Sequence, residues 1–297
     1  MDVTDRAAMV SGISVLVTGA SRGIGRATAL YLARAGLSVF AGVRRPEDGA
    51  RVEAEGEGGV RSVLLDVTDD DSIASARDEV ERAVGPTGLG GLVNNAAGGF
   101  GGPLEHATRS DLEQIFGVNF HGVVLTTSAF LSLLRRAQGR IVNVGGGAAG
   151  CLAIPLMGVG CASQYAIEGM TDALRLELRK VGIKVSLIEP GMTYSDADKP
   201  IFLESMNADF DRALSRVPDN QKSHYGPALE RLRAFNSSFL DRAAPPEAVA
   251  RRIHHALTAR RPRTRYWCGS ETKLAAALSR IATTAVRDAI WGRITGL

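Results

Sequence analysis

Short apolar runs alternate with longer stretches that are apolar on one helical face. Residues 14–17 (SVLV) precede a stretch with helical spacing through Ala33, and residues 37–42 (LSVFAG) precede a polar stretch, 46–59, that reads as a loop or short helix. Residues 60–65 form a third run, followed by an amphipathic helix over 70–84. The rhythm continues with residues 91–95 (GLVNN), one long helix over 110–136, residues 140–144 (RIVNV), a helix over 161–180 and residues 184–188. Phe116, Phe120, Val124, Ala129 and Leu133 supply much of the apolar face of the long helix. Runs this short and this apolar suit strands buried on both faces, and the spacers accommodate only helical crossovers. The pattern therefore predicts an α/β fold with a doubly wound parallel sheet of about seven strands and helices on both faces.

Beyond Ser195 the rhythm loosens. Helical spacing is legible over 201–216 and 227–240, separated by PDNQKSHYG. An excursion inserted after a strand's ligand-facing end is placed to cover a pocket, so 195–244 is expected to be a substrate lid. Pro245 and Pro246 open a helix through Ala259, with Glu247 in its first turn as the helix dipole favours. Residues 264–268 (TRYWC) give a last strand, and 272–291 reads as one closing helix bearing Leu274, Leu278, Ile281, Ala285 and Ile290. The expected organisation is a flexible N-terminus over 1–12 and a single domain over 13–297.

Candidate chemistry is concentrated in the first strand-to-helix turn, TGASRGIG. Gly19 permits a tight turn, Gly23 lets backbone approach a ligand, and Gly25 lets the helix lie close to the strand. Backbone N–H groups at such a helix start converge on a diphosphate, as in Rossmann-type dinucleotide binding. Arg44, at the end of the second strand, and Arg22, in the turn, offer positive charge where an acidic residue would repel a 2′-phosphate. NADPH is accordingly expected over NADH.

Composition narrows the remaining classes. The 297 residues are 45% hydrophobic, with 35 basic against 32 acidic residues for a net charge of +3. No basic block interleaved with aromatics suggests a nucleic-acid partner. Cys151, Cys161 and Cys268 lack paired metal-ligand spacing, so no metal site is expected, and they fit a reduced cytoplasmic protein. The acidic start MDVTDRAAM is not a signal peptide, and no uninterrupted apolar run long enough to span a membrane is evident.

Taken in order, these motifs resemble the short-chain dehydrogenase/reductase family over nearly the whole chain. The segment from Thr18 through Gly19, Ser21, Arg22, Gly23, Ile24 and Gly25 is similar to that family's cofactor turn. Asp66 and Val67 match its adenine-binding pair, and Asn94-Asn95-Ala96 its fourth-strand sequence, with Ala97 where a glycine is usual. Asn119 matches its structural and proton-relay asparagine. Pro190-Gly191 is similar to its step beside the nicotinamide, with Ser195 in place of the usual threonine. The family's serine, tyrosine and lysine, however, align with Gly147, Gly160 and Gln164.

The resemblance thus implies an intact cofactor site with its acid–base residues removed. Tyr165 and Cys161 point off the Gly160 face of the helix, which leaves Tyr194, Tyr225, His121, His224 and Ser163 as candidate proton donors. Loss of bulk at two glycines would admit a wide ligand. The expected activity is NADPH-dependent reduction of a polycyclic aromatic, polyketide- or angucyclinone-like ketone that supplies its own intramolecular hydrogen bond, with Gln164 still reaching the ribose. The alternative is a catalytically inactive NADP(H)-binding sensor or scaffold. Family resemblance further implies a homodimer or homotetramer, with no nucleic-acid or membrane partner expected.

Overall fold

The structure, a computed structural model, describes residues 12–99, 101–195, 198–238 and 243–297. The expected N-terminal segment therefore lies almost wholly outside the described residues. Seven strands occur among those described: β1 (Ser14–Val17), β2 (Ser38–Val43), β3 (Val60–Leu64), β4 (Gly91–Asn94), β5 (Arg140–Val144), β6 (Lys184–Pro190) and β7 (Arg265–Cys268). They form one sheet in the order β3-β2-β1-β4-β5-β6-β7, and every pairing is parallel. The order reverses direction between β1 and β4, which opens a crevice at the C-terminal ends of those strands.

The helices are α1 (Gly23–Arg34), α2 (Pro46–Glu55), α3 (Asp70–Val84), α4 (Arg109–Phe116), α5 (Gly122–Ala137), α6 (Gly158–Glu177), α7 (Lys199–Ser215), α8 (Lys222–Ser237), α9 (Pro246–Thr258), α10 (Ser270–Ile281) and α11 (Thr284–Thr295). Successive strand residues point to opposite faces, so one strand feeds two cores. Val15 and Val17 join Val249 and Ile253 of α9 on one side, while Leu16 packs with Val80 of α3 and Phe130 of α5 on the other. This two-sided burial explains why the strands read as continuous apolar runs.

The expected long helix is interrupted between α4 and α5 by a wide π-helical turn, Gly117–His121. That turn shifts the phase of the apolar stripe. Val123, Phe130, Leu133 and Leu134 are buried, whereas Val124, expected on the inner face, is 36% exposed. By length and hydropathy the run Arg109–Ala137 would suffice to cross a bilayer. Here its buried side packs on the sheet.

Two further expectations need correction. The second helix of the 195–244 insertion begins at Lys222, and Pro227 lies inside it. The polar run read as a separator therefore supplies the helix start. Residues 272–291 do not form one helix. Ala282 and Thr283 are extended (ψ 132 and 159), and the Thr283 hydroxyl accepts from Val286 N to start α11. Two successive threonines at this point favour a cap over continuation. Leu274 and Ile281, read as an apolar face, are 62% and 80% exposed.

Candidate functional site

The glycine-rich turn is braced by the end of β4. Thr18 Oγ1 accepts the N–H groups of Asn95 and Ala96, each at 3.0 Å. Asn95 Nδ2 in turn donates to the Thr18 and Gly19 carbonyls at 3.0 and 3.2 Å. Gly19 has φ +64, and a Cβ there would fall 2.8 Å from Ala96 Cα. At Gly25 a Cβ would stand 2.2 Å from the Gly19 carbonyl oxygen, so helix and strand meet too closely for any side chain.

The N-terminus of α1 is left open to an anion. Arg22, its N-cap, makes no side-chain cap, and its first turn holds no acidic residue. By contrast, the start of α3 is closed by the Asp69 carboxylate, which accepts from the Asp71 and Ser72 N–H groups. Uncapped N–H groups and the positive helix end are what a dinucleotide diphosphate requires, so the residues present fit that group. Ser21 is held from behind by Arg51, whose Nη2 donates to its carbonyl at 3.1 Å. Sequence reading missed Arg51 because its role depends on α2 lying beside the turn.

Arg22 and Arg44 are both exposed at the mouth of this crevice, and Ile24 packs against the core. Asp66 follows β3, and its Oδ1 accepts from the Thr68 backbone and hydroxyl at 2.9 and 2.7 Å. Burial pushes its pKa up, but these bonds and the Arg44 charge more than offset that and hold it below the usual carboxylate range. Val67 is buried. Asn94 is buried as well, donating to Thr127 and Asn143, and thus ties β4 to β5. Ala97 is exposed.

Deeper in the crevice, Asn119 sits in the π-helical turn that shifts the long helix. Its Nδ2 donates to the Gly98 carbonyl and Ser163 Oγ at 3.1 and 3.0 Å, while its Oδ1 accepts from Gly98 N at 2.8 Å. Ser163 Oγ donates to the carbonyl of Gly160, fixing the first turn of α6. The Asn119 amide is thereby committed to holding the loop after β4 against α6.

Gly146 and Gly147 have different surroundings. Gly147 has φ +59, and a Cβ there would lie 2.0 Å from the Pro190 carbonyl oxygen. No serine fits at that position. A Cβ on Gly146 would point at Gln164 instead, 2.6 Å from its Cγ. The position facing α6 is therefore Gly146, one residue earlier than the spacing suggested. Gln164 Oε1 is buried and has no hydrogen-bond partner. An unpaired buried amide oxygen is costly unless a donor completes it, and a ribose hydroxyl is such a donor.

Behind this loop lies Glu189, fully buried, whose Oε2 accepts from Gly147 N at 2.7 Å. Burial, then the hydrogen bond and repulsion from the adjacent Glu168 carboxyl, raise its pKa far above the ordinary carboxylate value. Its neighbours Pro190 and Gly191 end β6, and Gly191 N bonds the Cys268 carbonyl at 2.7 Å. Ser195 instead starts the insertion, donating to Asp198 Oδ2 at 2.6 Å.

A cavity of about 610 Å³ opens from Gly146, Pro190 and Gly191 toward the insertion and the C-terminal helices. Its wall is mostly apolar, with Leu152, Met206, Phe210 and Trp291 among the lining residues. None of the five candidate proton donors lines it, nor does Cys161 or Tyr165. Tyr225 donates to Glu105 near the surface, Tyr194 stacks on Phe202, and Cys161 is buried with its thiol pushed up by desolvation. His121 and His224 are exposed. The acidic residues on the cavity wall are Asp209 and Glu271, which sequence spacing did not single out. Burial raises the Asp209 pKa, against the opposing pull of Arg212.

Comparison with known proteins gives a consistent picture. The family model for short chain dehydrogenase matches residues 14–205. Human retinol dehydrogenase 5 is 35% identical over 268 residues, covering 89% of this chain and 83% of its own. The uncharacterized oxidoreductase YbbO of Escherichia coli K12 is 36% identical over 278 residues, 93% of each chain. Among solved structures, a short-chain dehydrogenase from Streptomyces avermitilis superposes with a TM-score of 0.74 over 96% of this chain and 97% of its own, at 23% identity. A metagenomic short-chain oxidoreductase in complex with NADP superposes at 0.65, with 26% identity over 86% of this chain and 96% of its own.

Proposed function

The chain belongs to the short-chain dehydrogenase family, an oxidoreductase fold, and on that premise we propose that it is an NADPH-dependent ketoreductase whose substrate takes over proton handling. The carrying observation is the contrast between an open, braced cofactor turn and the glycines at positions 146 and 160 beside Gln164. The orphaned Gln164 Oε1 supports ribose binding without a lysine. Arg22 and Arg44 support a 2′-phosphate, and the solved relative bound to NADP is consistent with that choice. The cofactor turn comprises Gly19 through Gly25, with Asp66 and Val67 at the adenine and Ala96, Pro190 and Gly191 lining the path to the nicotinamide.

A bound nicotinamide would supply the hydride. The chain would hold the polycyclic ketone in the apolar cavity of about 610 Å³ that opens at Gly146, and exclude water with α7 and α8. Charge developing on the carbonyl oxygen would be met by a phenolic hydroxyl ortho or peri to it, which passes its proton to that oxygen; the phenolate left behind regains a proton from solvent on product release. The sequence pattern, with the serine, tyrosine and lysine positions replaced, is similar to that of the angucyclinone ketoreductase of simocyclinone biosynthesis. The relative named for retinol supports a bulky apolar substrate more generally.

The test is a matched pair of aromatic ketones, with and without the adjacent hydroxyl, incubated with NADPH. The hydroxylated ketone is expected to turn over about 10² to 10⁴ times faster, the range associated with a general acid. Equal rates would contradict substrate-assisted protonation. The alternative, an inactive NADP(H)-binding sensor or scaffold, draws on the way Gln164 occupies the space beside Gly146. It predicts cofactor binding without consumption of any ketone in the series.

A further inference from the structure

A second cavity, about 330 Å³, lies behind the Gly147–Gly150 turn. It is walled by Tyr165 and Glu168 of α6, Arg265 and Trp267 of β7, and Arg280 and Arg287 of the two C-terminal helices. Two of its lining residues carry buried donors without a hydrogen-bond partner, Arg265 Nε and Arg287 Nε, while the Glu168 carboxylate is met by the protonated Glu189 carboxyl behind it. Orphaned groups of this kind are rare in folded proteins, and their clustering around one space points to a ligand that would complete them.

The charge balance selects the ligand's sign. Arg265 already pairs with Glu168 and lies 3.6 Å from Asp172. Among the described residues, no carboxylate forms an ion pair with Arg280 or Arg287. Arg287 Nη2 donates to Thr284 Oγ1 at 3.3 Å, so two guanidinium groups without a carboxylate partner face a space also lined by an indole and a phenol. Guanidinium forks match carboxylates bidentately, and aromatic walls favour a planar body. The volume falls at the small end of ligand pockets.

We propose that this cavity, which shares Arg287 with the lining of the large cavity at Gly191, binds a small aromatic carboxylate. The carboxylate is held by Arg280 and Arg287, with the ring between Tyr165 and Trp267. Because Gly150 and Cys151 also line the space, its occupant rests against the turn that begins at Gly147.

Calorimetric titration of the full chain with benzoate tests the assignment. Saturable binding is expected, weakened about tenfold or more by Arg280→Gln and by Arg287→Gln, as loss of a charge-assisted contact implies. Met206→Trp, which obstructs the large cavity, should leave benzoate affinity unchanged. Benzamide and inorganic phosphate should each bind at least tenfold more weakly than benzoate. No saturable binding, equal binding of benzamide or phosphate, or full affinity in folded Arg280→Gln would overturn the proposal. Loss of binding in Met206→Trp with none in Arg280→Gln would place the anion in the large cavity and overturn it equally. Arg280 is exposed, so its replacement keeps the test valid should Arg287→Gln fold poorly.

Discussion

At Gly147 a side chain has no direction in which to go, because positive φ and the Pro190 carbonyl act together. Gly147→Ala is expected to destabilise the protein by about 1–3 kcal/mol, read from urea unfolding midpoints. An unchanged midpoint would show that the loop relaxes freely. Glu189 offers a sharper test. Its folded pKa is raised, so the native state retains a proton that the unfolded chain releases above the ordinary carboxylate range. Stability should therefore fall as pH rises through neutrality toward that raised value, by up to about 1.4 kcal/mol per pH unit. Glu189→Gln keeps an acceptor for Gly147 N and a donor for Glu168, and should flatten that slope. A slope identical to the parent's would mean that Glu189 is ionised in the native state. Gly19 and Gly25 were legible from sequence because a close approach demands glycine, and Gly23 because its φ of +56 does. The Glu189–Glu168 pair was not, since its partners come from β6 and α6 and meet only in the fold.

Among the elements, the strands were legible because two-sided burial leaves each as an uninterrupted apolar run. Helix interiors were less so. The π-helical turn at Gly117–His121 preserves a continuous helical pattern while moving Asn119 inward and Val124 outward, and no residue type announces it. The insertion is fastened by a long-range contact that periodicity could not reveal. Arg216, at the end of α7, donates to both oxygens of Asp111 at 2.7 Å, and Thr108 closes a capping box with the same carboxylate. Burial raises the Asp111 pKa, but the Arg216 and Thr108 bonds overcome it and lower the value from 3.8 to about 2. That stabilisation is present above pH 3.8 and is lost as pH falls toward about 2. Asp111→Asn is expected to cost about 1–3 kcal/mol at neutral pH and to remove the corresponding part of the acid unfolding limb. If acid titration of parent and variant ran parallel, the pairing would not contribute.

Across the whole molecule, the sheet order brings the cofactor turn, the Asn119 turn and the Gly145–Gly147 run to one edge, while the C-terminal helices close the far side of the apolar cavity. The cofactor half was readable because it is local, built from one strand, one turn and one helix. The cavity was not, because Met206 and Phe210 of α7 meet Leu152 and Trp291 from distant segments of the chain. The same division predicts that Gly25→Ala, which would force the turn away from β1, loses NADPH binding by at least tenfold in a fluorescence titration. Unaltered affinity would place the diphosphate elsewhere. The most direct measurement of the account is deuterium transfer from C4-deuterated NADPH to a peri-hydroxylated polycyclic ketone, followed by mass spectrometry and NMR. Deuterium is expected at the carbinol carbon, on one face, with stoichiometric NADP⁺. Saturated cofactor binding with no label in any product would contradict it.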